Sequence, residues 1–239
     1  MIKVVFFDAA GTLFDARVPI AESYARIAGR YGVERNAEAV NEGFRRAFHQ
    51  APPLAFGPGR EAAELRALEH RWWREVVAQT FLDTAIFSDF QGYFDELFAF
   101  FGEPDNWRVD PGAIPMLQRL RGDGLRLGII SNFDYRLYRI LDGLGLRPYF
   151  DSITISSEAG YAKPAPEVFH VALAKHGATP LEALHVGDSP HHDGAGARAA
   201  NIACVLIDPG AAARRASDPH DLAITSLDEI PDLVRRFRT

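Results

Sequence analysis

The sequence predicts an α/β fold: a doubly wound parallel sheet with an inserted helical domain. Three observations predict it. Five short, largely apolar runs have the length of strands: Val4 to Phe7, Leu125 to Ile130, Ser152 to Ile155, Ala183 to Val186 and Ala203 to Ile207. Such runs are typical of strands covered on both faces. Helical spacing separates the later runs, and strand alternating with helix builds a parallel sheet. Between the first run and the rest lies a long stretch that holds helical periodicity only.

Val4 to Phe7 is the first strand and ends at Asp8. In the stretch that follows, Ile20, Tyr24, Ile27, Ala28 and Tyr31 share one helical face, and Leu65, Leu68, Trp72 and Val76 another. A third helix is predicted over Phe90 to Phe101. Pro52-Pro53 to Gly59 reads as a loop from its proline and glycine content. Residues 16–104 are therefore assigned to a helical insertion, and residues 1–15 and 105–239 to the core domain. The insertion's aromatic side chains, among them Trp72, Trp73, Phe81, Phe94, Phe98 and Phe101, are expected to form its own core, with a substrate-facing wall as the alternative. Beyond it, Ile114, Leu117 and Leu120 lead into the second strand, and Leu137, Tyr138 and Leu141 follow it. Val168, Phe169, Ala172 and Leu173 precede the fourth. There is no internal repeat and no low-complexity tract.

The chain has 239 residues, 47% of them hydrophobic and 24% charged, which is ordinary for a globular protein. This length suits a core domain plus a smaller insertion, and it buries enough surface to fold without disulfides. The net charge is −6, and an acidic balance argues against sequence-independent nucleic-acid binding. The lone cysteine, Cys204, lies in an apolar run and reads as a structural thiol. The apolar start is too short for a signal peptide, and no stretch of about 18 apolar residues is present. A cytoplasmic location is expected, with no membrane partner and a monomeric or homodimeric state.

In open α/β sheets ligands bind beyond the carboxyl ends of the strands. Asp8-Ala9-Ala10-Gly11-Thr12 follows the first strand. Ser131-Asn132 ends the second, Lys163-Pro164 lies after the third, and Gly187-Asp188-Ser189 with Asp193 follows the fourth. Carboxylates, a hydroxyl, an ammonium and a glycine-rich turn suit phosphoryl chemistry. A carboxylate can attack phosphorus, Mg²⁺ prefers oxygen ligands, and lysine and backbone N–H groups bind phosphate oxygens.

These residues, in this order, resemble the four motifs of the haloacid dehalogenase-like (HAD) superfamily of hydrolases. The resemblance runs from Val4 to about Asp208, and the helical insertion sits where that family places a C1-type cap. It implies a Rossmann-like core. It further implies Asp8 as nucleophile and Mg²⁺ ligand, the Ala10 carbonyl as a second ligand, and Asp188 as a third. Asp193 would support the metal or orient Lys163. Ser131 and Lys163 would act on the phosphate, with Ala9, Ala10, Thr12 and Asn132 beside the substrate. The implied cofactor is Mg²⁺, and the implied partner is a small phosphorylated molecule.

One position departs from the pattern. Family phosphatases carry a second aspartate two residues after the nucleophile, as acid and base; here it is Ala10. General acid–base groups contribute about 10²–10⁴-fold, so substrates with good leaving groups lose least. Phosphonatases share an alanine there but need a cap lysine, and the chain's three lysines, Lys3, Lys163 and Lys175, all lie outside the insertion. Haloacid dehalogenases need no metal and use a cap arginine; Arg17, Arg26, Arg45 and Arg71 are available. A metal-free site has little use for Asp188 and Asp193 together, so the phosphatase expectation leads. A domain that binds a phosphorylated ligand or a partner without turnover is the third alternative. Asp15, His49, His70, His191 and His192 are candidates for the missing acid, although Asp15 and Asp134 read first as helix caps.

Overall fold

The computed structural model describes residues 1–82, 87–208 and 222–236. Within the segments assigned to the core, residues 209–221 and 237–239 lie outside the described residues. Six parallel strands form one sheet: β1 (Val4–Phe7), β4 (Arg126–Ser131), β5 (Ser152–Ile155), β6 (Ala183–Gly187), β7 (Ala203–Ile207) and β8 (Leu222–Ile224). Their order is β5-β4-β1-β6-β7-β8. Ranked along the chain this is 3-2-1-4-5-6, the dinucleotide-fold order, whose direction reverses beside the first strand. The β1 backbone pairs with β4 (Phe7↔Ile129) and with β6 (Phe7↔Val186), so the ends of all three strands open on one crevice.

Both faces of β1 are covered. Val5 and Phe7 pack with Met116, Leu117, Leu120, Leu137, Ile140 and Leu141 from helices α5 (Ala113–Gly122) and α6 (Arg136–Gly143), and with Ile230 and Val234 of α10 (Ile230–Arg236). Val4 and Phe6 pack with Val168, Phe169, Ala172 and Leu173 of α8 (Pro166–His176) and with Ala197 of α9 (Gly196–Ala199). Alternation along a strand sends adjacent side chains to opposite faces, so an unbroken apolar run is what this position requires. A short α7 (Ser156–Ala159) follows β5.

The insertion contains four helices among the described residues, not the three expected: α1 (Ile20–Gly29), α2 (Ala37–Gln50), α3 (Ala62–Thr80) and α4 (Phe90–Phe100). The additional helix, α2, starts at Asn36, whose side chain accepts the Ala39 N–H. These helices build a separate apolar cluster around Tyr24, Ile27, Val77, Tyr93, Phe94 and Leu97. An antiparallel pair, β2 (Phe14–Ala16) and β3 (Trp107–Val109), carries the chain out to the insertion and back. Asp15 stands in β2 and caps no helix, since α1 begins after Pro19. No helix among the described residues is long and apolar enough to cross a membrane.

Candidate active site

Asp8 stands one residue beyond β1, where its N–H donates to the Val186 carbonyl of the neighbouring strand (2.8 Å). A tight turn follows. Thr12, Leu13 and Phe14 N–H groups converge on the Ala9 carbonyl, and the Gly11 N–H returns to Phe14. Gly11 has φ +86°, and a Cβ there would lie 2.7 Å from an Asp188 oxygen. Glycine thus serves both the left-handed turn and the approach of the carboxylate from the β6 loop. Gly187 has the same relation to Asp193, whose carboxyl carbon would be 2.2 Å from an added Cβ.

Lys163 joins these loops. Its buried Nζ donates to Asp8 Oδ1 and to Asp193 Oδ1, each at 2.6 Å. Asn132, at the end of β4, fixes the lysine's backbone from both sides: its Nδ2 donates to the Lys163 carbonyl and its Oδ1 accepts the Lys163 N–H, both 2.8 Å. Asp193 also accepts the Ser189 N–H (3.0 Å) and lies 2.8 Å from His185 Nε2. His185 is fully buried within β6. The sequence reading passed over it; the signal available was an imidazole in an otherwise apolar strand.

Burial pushes the Asp8 carboxyl up, the Lys163 ammonium opposing and Asp193 adding to the shift. For Asp193 burial acts the same way, but Lys163 and His185 outweigh it and hold the carboxyl well below the usual range. Asp188 stands on the exposed rim, where partial burial, then Asp8, then Asp193 push it up to about 6. Oxygens of Asp8, Asp188 and Asp193 all lie within 4.8 Å of one another. Three carboxylates offset by one ammonium leave an excess of two negative charges. Hard oxygen donors with that excess fit a divalent cation such as Mg²⁺.

Ser131 is buried at the end of β4. Thr12 is buried with its hydroxyl unpartnered among the described residues, and the Ala9 side chain is enclosed. Ala10 and Asn132 open instead on a cavity of about 400 Å³ between the core and the insertion, together with Gly11 and Asp15. Its walls include Trp73, Phe94, Phe98 and Phe101, so the insertion's aromatics serve as core and as cavity wall at once. Of the other candidate acids, His70 packs edge-on against Phe94 and Phe98 with its Nε2 turned to Asp95 at the insertion's surface, and His49 is exposed. His191 and His192 contact each other on the turn after Asp188.

A family model described as haloacid dehalogenase-like hydrolase matches residues 2–201. The chain belongs to the haloacid dehalogenase-like hydrolases. It is 33% identical to haloacid dehalogenase-like hydrolase domain-containing protein 3 of Bos taurus, covering 96% of this chain and 92% of that one. It is 32% identical to a phosphoserine phosphatase of Thermus thermophilus, over 96% and 98%. In structure it is similar to a 2-haloacid dehalogenase from Pseudomonas syringae (TM-score 0.68, 25% identity, 99% and 100% covered). Within this HAD framework the four insertion arginines named above stand away from the cavity. Arg17 donates to the Asp105 and Trp107 carbonyls, Arg26 lies over Phe100, and Arg45 and Arg71 face grooves on the outside of the insertion.

Proposed function

We propose that this HAD hydrolase is a Mg²⁺-dependent phosphatase that acts on a small phosphorylated metabolite through an aspartyl-phosphate on Asp8. One observation carries the reading: Asp8, Asp188 and Asp193 converge at the sheet's switch point with Lys163 between two of them. Asp8, Asp188 and the Ala10 carbonyl would hold the cation, which when bound would screen the charge of the phosphoryl group.

The chain's own residues do the rest. Lys163 engages Asp8 Oδ1, which leaves Oδ2 as the attacking oxygen. Lys163 and Ser131 would engage the phosphoryl oxygens, and a preorganised ammonium there would stabilise the transferring group. Asp193 and Asn132 are positioning residues, one gripping the Lys163 ammonium and the other its backbone. The insertion above the cavity would limit water at the first step without shutting solvent out. Position 10 supplies no proton to the leaving oxygen.

Carbon–halogen hydrolysis shares the nucleophile, and the similarity to a 2-haloacid dehalogenase keeps it as the rival. The acidic triad and the distant cap arginines weigh against it. The test is aryl-phosphate hydrolysis with and without Mg²⁺, for the wild type, Asp8→Asn and Ala10→Asp. Turnover that needs Mg²⁺ and vanishes in Asp8→Asn is expected. Full activity in Asp8→Asn would end the proposal. A silent wild type beside an active Ala10→Asp would move dehalogenation and ligand binding ahead.

A further inference from the structure

The cavity beside Asp8 differs in character from the charged rim beneath it. Its floor is Ala10, Gly11 and Asn132, and its walls are largely aromatic, with Phe44, Phe48, Trp73 and Phe98 among them. Phe44 stacks on Phe48 (5.5 Å between centroids), and Phe48 leans on Trp73 (6.1 Å). Among the described residues the lining contains one cation, Arg136. Each of its three nitrogens already donates, and its charge is paired with Asp134. Nε and Nη2 donate to the two Asp134 oxygens (2.8 and 2.6 Å), and Nη1 donates to the Phe98 carbonyl (2.9 Å). The guanidinium also lies 3.7 Å from the centre of the Phe98 ring. The other lining charge is Asp15, an acid. A carboxylate or second phosphate on the leaving group would meet no free cation here, and burying an unpaired charge is costly.

We propose, on the basis of the phosphatase reading, that this cavity takes an uncharged aromatic leaving group, so that the substrate class is aryl phosphate monoesters. Size agrees: an apolar cavity of roughly 150 Å³ suffices for benzene, and about 400 Å³ accommodates a two-ring system. Chemistry agrees independently. Ala10 gives no proton, so the leaving oxygen departs with its electron pair and takes a proton from solvent. A phenol, with a pKa of about 10 as in tyrosine, leaves this way far more readily than an aliphatic alcohol, whose pKa is close to water's, about 16. The Asp8 oxygen–phosphorus bond forms as the phosphorus–aryl oxygen bond breaks. Water then cleaves the aspartyl-phosphate, so one ester and one water give one phenol and one inorganic phosphate.

The test compares 1-naphthyl phosphate with acetyl phosphate, which leaves well but has no ring, and with phosphoglycolate, which is small and carries a carboxylate. With Mg²⁺ present, kcat/KM for 1-naphthyl phosphate is expected to exceed both by about tenfold or more. Phe48→Ala, at a partly exposed ring, narrows that preference, and Phe48→Arg shifts it toward phosphoglycolate. Calorimetric binding to Asp8→Asn supplies a readout without turnover, with 1-naphthyl phosphate expected about tenfold tighter than phosphoglycolate. If acetyl phosphate or phosphoglycolate matches the aryl ester in turnover, the aryl proposal is overturned while the phosphatase reading stands. If no phosphate turns over, the phosphatase reading fails and binding decides: aryl preference sustains the cavity assignment, and equal, weaker or absent aryl binding overturns it.

Discussion

Lys163 bridges two buried carboxylates, so its removal exposes a stability role along with a chemical one. Lys163→Met leaves Asp8 and Asp193 facing each other inside the protein, and breaking a buried ion pair costs on the order of 3–5 kcal/mol. Denaturant unfolding of the variant at neutral pH is expected to show a loss of that size, together with loss of turnover. A midpoint equal to the wild type's would contradict the bridging geometry. Ala10→Asp has the opposite sign: hydrolysis of an alkyl phosphate is expected to rise by about 10²–10⁴-fold, while an aryl phosphate gains little. Steady-state rates on the two substrates measure the contrast. At this scale the sequence was informative where chemistry follows an apolar run. Asp8, Ser131 and Asp188 each end or follow such a run, so strand logic alone brought them to one rim. His185 was hidden because strand logic reads past a polar residue inside a strand. The Arg136–Asp134 pair was hidden because two residues two positions apart in the chain say nothing about a bidentate contact.

Helices α3, α4 and α6 meet where the insertion touches the core, and buried polar contacts tie them together there. Arg136 of α6 holds the Phe98 carbonyl of α4, while Asp134 accepts from both Arg136 and Trp73 Nε1 (2.6 Å) of α3. Arg136→Met is expected to cost about 3–5 kcal/mol by leaving Asp134 unpaired, and adding Asp134→Asn should recover part of it in the same unfolding experiment. Glu69 of α3 adds a pH dependence. It is buried, its Oε2 has no hydrogen-bond partner among the described residues, and burial pushes its carboxyl up to about 7, the Ser157 hydroxyl opposing and Asp134 assisting. In the unfolded chain the carboxyl releases its proton near 4.5. Between those values the folded state keeps a proton that the unfolded state has lost, so this contribution to stability falls as pH rises from 4.5 to 7 and stays low above it. Glu69→Gln should therefore be more stable than the wild type at pH 8, by about 1–3 kcal/mol, with the advantage shrinking toward pH 5. An equal gap at both pH values would refute the assignment. Periodicity revealed α1, α3 and α4 through their large apolar residues. It missed α2, although Val40, Phe44, Ala47 and Phe48 recur there at helical spacing, because the many charged and polar residues between them lower the apolar content of the stretch.

Across the whole molecule, the reversal of strand order beside β1 is what brings residues 155 and 185 positions apart, Lys163 and Asp193, onto Asp8. That much was legible, since alternation of strand and helix restricts the sheet to a few orders. The cavity was not, because spacing marks an apolar face without saying whether protein or ligand covers it. A cation held by Asp8 and Asp188 would bind only the folded chain. Mg²⁺ at a hundred times its dissociation constant should then add about 2.7 kcal/mol, raising the melting midpoint by about 2–4 °C per kcal/mol. Asp188→Asn should lose most of that rise in a thermal scan, and a full rise in the variant would place the cation elsewhere. The Trp73 indole has a consequence of another kind. Its N–H is bound to a core carboxylate, its ring faces the cavity, and its backbone rides on the insertion. Any parting of insertion from core must release that bond and wet that ring, so with Trp72 and Trp107 replaced by phenylalanine the emission colour of Trp73 reports whether the chamber is open or closed.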